Sequence, residues 1–164
     1  MLMLNGGIPV TKQIEDFVEE PLEGQARQNA LDFIAFLRNH GVAFYRDHNG
    51  YWKNKVYYWV KLGEECLCFI AIQNPDEPEN SWTVWSDACS AYESDIPEED
   101  IKHIAWEHID FCAHCGSCSG GKRKTVFGKT FDDVCGCTFR VDDPSARDLL
   151  FLKKMIEIRK SVCL

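Results

Sequence analysis

Five of the nine cysteines fall within 26 residues, at Cys112, Cys115, Cys118, Cys135 and Cys137, and no other feature restricts the fold of this chain as tightly. The order is C-x2-C-x2-C, sixteen residues, then C-x-C. Each short knuckle turns two sulfurs toward one point, which suits thiolates converging on one soft metal ion. Four of the five would close a tetrahedral zinc site of net negative charge. Lys122, Arg123, Lys124 and Lys129 lie beside it in sequence and offset that charge. His108, one helical turn before Cys112, and His114, inside the knuckle, are secondary candidate ligands.

Other readings of the cysteines are weaker on their spacing. An iron–sulfur cluster is the alternative cofactor, but the C-x3-C-Pro that usually follows C-x2-C-x2-C is missing. An open catalytic zinc has neither an H-x-E with a later P-C-x2-C nor an H-E-x2-H to support it. Thioredoxin-like redox chemistry wants its thiol at a helix N-terminus, whereas Cys112 follows a stretch with helical spacing. Buried thiols packing as small hydrophobes are the plain alternative. No residue set reads as catalytic, so the expectation is a non-enzymatic protein.

The chain of 164 residues is the length of one domain, read as 1–164 with a cysteine-rich insert at 112–137. Its net charge of −8 argues against wholesale binding of nucleic acid or anionic membrane. The apolar N-terminus lacks a basic stretch and a long apolar core, and the longest apolar run, Cys66–Ile72, is too short to span a bilayer. A cytoplasmic location follows as the expectation, where thiols stay reduced.

Apolar spacing predicts a short helix over 11–19, stopped by Pro21, and a longer one over about 22–39 ended by Gly41. Strands are predicted at 42–46, 51–61, 66–73 and 82–86, joined by connections too short for parallel pairing. A third helix runs from Pro97 to Cys112 and a last one from Asp143-Pro144 to about Lys160. The prediction is an α+β domain: a four-stranded antiparallel sheet packed by helices, with the metal-knuckle insert before the C-terminal helix.

The predicted sheet is rich in aromatic residues. Alternation places Tyr57 and Trp59 on one face and Tyr58 on the other. One face must be core, and the other could be an aromatic pocket for an amphipathic cation lined by Tyr57, Trp59, Trp82 and Trp85. Such a face resembles bacterial effector-binding domains of the GyrI-like kind, which implies a small-molecule sensor.

Cys112-x2-Cys115-x2-Cys118, then Val126-Phe-Gly-Lys-Thr-Phe-Asp-Asp-Val-Cys135, then the Asp-Pro-led last helix form a further pattern. In these the chain resembles uncharacterised small bacterial proteins with a helix–sheet–helix domain and a C-terminal cysteine-rich, zinc-ribbon-like module. The resemblance implies a zinc-ribbon-like module and no activity, and the partner, a small molecule or a protein, is left open.

Overall fold

The computed structural model describes residues 2–4, 8–10, 12–86, 89, 91–94, 97–116 and 118–163. A two-stranded antiparallel hairpin, β1 (Leu2–Leu4) with β2 (Ile8–Val10), precedes the main body. Two helices follow, α1 (Ile14–Glu19) and α2 (Gly24–Asn39). Residue 11, the expected start of the first helix, lies outside the described residues. The stripe of Ala30, Phe33, Ile34 and Leu37 is buried as its spacing requires.

A seven-stranded sheet comes next, where the sequence predicted four strands. Its strands are β3 (Ala43–Arg46), β4 (Tyr57–Leu62), β5 (Glu65–Ile72), β6 (Trp82–Ser86), β7 (Ile109–Phe111), β8 (Lys122–Val126) and β9 (Lys129–Asp142). The pairing is antiparallel throughout, in the order β3-β4-β5-β6-β9-β7, with β8 pairing β9. The first four match the predicted strands, except that residues 51–56 are not part of one. Gly50–Trp52 forms a 3-10 turn, and the chain reaches the sheet only at Tyr57.

The three additional strands lie in the stretch read as a metal insert. Helix α4 (Glu99–Glu107) stops five residues short of Cys112. Ile109 and Phe111 are drawn into the sheet opposite Phe139 and Val134, so tertiary pairing overrides the helical spacing. The last helix, α5 (Ala146–Cys163), also starts later than Asp143-Pro144. Its N-terminus is closed by Ser145, whose Oγ accepts from the Asp148 amide at 3.1 Å while Asp148 Oδ2 accepts from the Ser145 amide at 3.0 Å. A short helix, α3 (Ala91–Ser94), links β6 to this half of the molecule.

Helices α2, α4 and α5 cover one face of the sheet. Val60, Ile70, Trp82, Val84, Phe139 and Val141 meet Phe33, Ile104, Phe151 and Met155 there in one continuous core. A β-bulge pairs Val60 with Cys68 and Lys61 with Cys66, so Leu67 is the extra residue and turns inward together with Cys68. Cys66 is left on the opposite face with Tyr57, Phe69 and Ala71. No helix among the described residues is long and apolar enough to cross a membrane.

The β8–β9 hairpin is fastened by its turn. Val126 pairs Lys129, and Phe127 and Gly128 between them have φ of 48° and 87°, the left-handed pair that a two-residue hairpin turn requires. A phenylalanine is strained there, yet Phe127 is 2% exposed. Its ring packs 5.9 Å from Tyr92 and 6.3 Å from Phe139, and its amide donates to the Tyr92 carbonyl at 2.8 Å. Burial of the ring offsets the strain and seats the turn in the core. Phe127→Ala is expected to lower unfolding stability by about 3–5 kcal/mol, read from the urea midpoint. A loss under about 1 kcal/mol would show that the turn is not anchored by this ring.

Candidate functional site

Strand β9 organises the cysteine region because it carries three partners. Ile109 pairs Phe139 and Phe111 pairs Val134, so the single residue Asp110 faces the four residues 135–138 of β9. That excess bulges outward and contains Cys135 and Cys137. Lys124, across the hairpin, holds the bulge in shape. Its Nζ donates to the carbonyls of Cys135 (3.1 Å) and Gly136 (3.2 Å) and to Thr138 Oγ1 (3.0 Å). Thr138 is buried with φ of 69°, a conformation that this anchoring sustains. Ser86 adds a second tie: its Oγ donates to the Cys137 carbonyl and accepts from the Phe139 amide at 3.2 Å.

The two cysteines of the bulge go separate ways. Cys137 packs against the outer aromatic face with Tyr57, Cys66 and Phe69. Burial pushes the Tyr57 phenol well above its ordinary pKa, and the thiols of Cys137 and Cys66 beside it act in the same direction. Cys135 hydrogen-bonds the Asp110 side chain. Burial raises the Asp110 carboxyl above the usual carboxylate range, against the opposing pull of Arg140 and of that bond.

Cys112, Cys115 and Cys118 ride on the loop between β7 and β8, and both ends of that loop are clamped to the same point of β9. The Cys112 amide donates to the Asp133 carbonyl at 2.8 Å. At the other end Gly121 lies so close to Asp133 that a Cβ there would stand 2.7 Å and 2.8 Å from its carbonyl carbon and oxygen. Only glycine fits that approach. Within the loop, Cys112 Sγ accepts from the His114 amide at 3.4 Å and lies 3.9 Å from His114 Nδ1. Cys115 and Cys118 are exposed, and Cys118 Sγ faces the Gly120 carbonyl at 3.8 Å. Among the described residues no three His, Cys, Asp or Glu side chains are gathered as they would be around a metal ion.

His108 stands apart from the cysteines. It ends α4 and its Nε2 lies 2.8 Å from Asp148 Oδ1, in the first turn of α5. Burial alone would raise the Asp148 carboxyl, but the Ser145 amide and His108 together hold it below its ordinary value. This contact joins α4 to α5 and engages the histidine with a carboxylate instead of a sulfur.

The four aromatic residues predicted to line a pocket do not share a face. Tyr57, Trp59 and Trp85 belong to the outer layer, whereas Trp82 is 1% exposed within the core. Positions 82 and 85 are an odd number apart, so strand alternation itself separates them. Trp52, outside the predicted set, completes the outer layer by stacking on Tyr57 at 3.7 Å and 3°. The layer already has its own cations: Lys55, Lys61 and Arg140 sit 5.7, 5.5 and 5.2 Å from the rings of Trp52, Trp59 and Trp85.

No family model matches this chain, and no curated protein or solved structure matches it either. The site must therefore be interpreted from its own geometry.

Two measurements check that geometry. Lys124→Met leaves two bulge carbonyls without their donor, and is expected to cost about 1–2 kcal/mol and to speed labelling of Cys137 by a thiol reagent. Unchanged labelling would mean that the bulge keeps its shape without the lysine. For Asp148, a folded pKa below the unfolded value means stabilisation present above the unfolded pKa and lost as pH falls through the folded one. Asp148→Ala should thus cost about 1–2 kcal/mol at pH 7, and its deficit against wild type should shrink on acidification below about pH 4. A deficit independent of pH would contradict an ionised Asp148 carboxylate at the start of α5.

Proposed function

We propose that the chain is a zinc-binding module in which one ion, held by Cys112, Cys115, Cys118 and Cys135, pins the loop between β7 and β8 and leaves the sheet to bind a partner. The observation that carries this reading is the clamp at Asp133. It closes the loop bearing three of the thiols two residues from Cys135 on the same strand. The donor set is four soft thiols, the set zinc prefers in closed structural sites. Gathering them requires the exposed thiols of Cys115 and Cys118 to turn inward, and Gly116 directly after Cys115 and Gly120 two residues after Cys118 are both at positive φ. Cys137 is the cysteine left out, because it belongs to the aromatic layer. His108 is left out as well, because Asp148 engages it. His114 stays near the site as a neighbour of Cys112.

A closed four-thiolate site has no open position for substrate, so its role is to fold an irregular loop that buries little apolar surface. The alternative of a cationic effector on the aromatic face has less support, since such a ligand would have to displace Lys55, Lys61 and Arg140 from the rings. A redox or iron–sulfur role for the same thiols is separated by the metal itself.

Elemental analysis of untagged protein is expected to find about one zinc per chain. Cys112→Ser, Cys118→Ser and Cys135→Ser should each lose it, while Cys137→Ser keeps it. Metal-free protein with all of these thiols reactive would overturn the proposal, and protein holding iron and sulfide would replace it with a cluster.

A further inference from the structure

On an acidic chain, one cleft is basic. It has a volume of about 680 Å³, within the range typical of small-molecule sites, and opens between α1, the end of α2 and the β3–β4 edge of the sheet. Its described lining includes Lys12, Arg38, Arg46 and His48 but no Asp or Glu. Phe17, Phe44 and Tyr58 form the apolar walls, with ring centroids 6.4 Å apart for Phe17–Tyr58 and 6.5 Å for Phe44–Tyr58.

The cations of this cleft are not equivalent. Lys12 is satisfied by Glu20 at 2.6 Å, and Arg38 grips Glu15, with Nη2 donating to Oε2 at 2.9 Å. Arg46 has no carboxylate partner among the described residues. Its guanidinium lies 4.5 Å over the Phe17 ring, one Nη donates to the Lys55 carbonyl at 3.4 Å, and its Nε is buried with no acceptor. A half-buried guanidinium whose Nε is enclosed without an acceptor, beside aromatic walls, gains from an anion brought to its free edge. The planar fork suits a carboxylate, and stacking on Phe17 holds its plane in place.

We propose that this cleft binds a small aromatic carboxylate, its ring between Phe17, Phe44 and Tyr58 and its carboxylate on Arg46. The site is separate from the cysteine loop, so the proposal stands or falls independently of zinc.

Calorimetric titration of the full chain with 2-naphthoate and with 2-naphthylmethanol tests it, since the alcohol keeps the ring and lacks the charge. Naphthoate is expected to bind with one site per chain, and the alcohol roughly tenfold more weakly or worse. Arg46→Gln should lower naphthoate affinity by about tenfold or more, and Arg46→Lys by less, because the lysine keeps the charge and loses only the fork. Equal affinity for acid and alcohol, or no binding of naphthoate to the wild-type chain at millimolar concentration, would overturn the proposal without reference to any variant. A folded Arg46→Gln protein that binds naphthoate as the wild type does would also overturn it and move the site elsewhere.

Discussion

The irregular pairing of β9 is the constraint on which the C-terminal half depends. A straight strand cannot pair with β6 at one end, β8 at the other and β7 between while keeping Val134, Phe139 and Val141 all in the core. Four residues set against Asp110 supply the change of direction, and Lys124 satisfies the carbonyls that the bulge takes out of the ladder. The five clustered cysteines are then placed relative to this one irregularity. The cysteine loop is clamped just before it, Cys135 lies at its start, and Cys137 is turned by it toward the opposite face.

The same sheet has two chemically different sides. One is sealed by α2, α4 and α5. The other is a layer of stacked rings shielded by the chain's own lysines and arginine instead of a helix. Such shielding lets long cationic side chains cover apolar surface while their charges remain in water, and it accounts for a well-packed aromatic face in a chain that stays strongly charged. Arg46 departs from this pattern. It stacks on a ring in the same way but lies at the wall of a cleft.

Much of the fold was legible wherever one period ran without interruption. The Ala30–Leu37 stripe defines α2, and the apolar runs of β5 and β6 define the middle of the sheet. Strand β7 was not legible, and β8 and β9 showed only as β-like residues at 125–127 and 131, because their pattern is broken by Gly136, by left-handed residues at Asp133 and Thr138, and by a turn with phenylalanine where asparagine is usual. The cysteine spacing was plain in sequence, but which face each thiol takes depends on the bulge, which no local pattern encodes. Arg46 left no trace either, since having no carboxylate partner among the described residues is a property of its neighbours and not of its own segment.

The seating of Phe127 also governs where this chain can be cut or extended. Hairpin turns are ordinarily the places where a protein accepts an inserted peptide or yields to a protease, because they project into water. Here the Phe127 half of the turn between β8 and β9 faces inward with its amide bonded to Tyr92, so that half is withheld from both, although Gly128 beside it is exposed. The tolerant position is instead the polar connection 75–80 between β5 and β6, whose residues lie mostly at the surface. A reporter grafted there would leave the cysteine loop and the basic cleft in place, provided Asp76 and Glu77, which pair with Lys55 and Arg140 beside the aromatic layer, are kept.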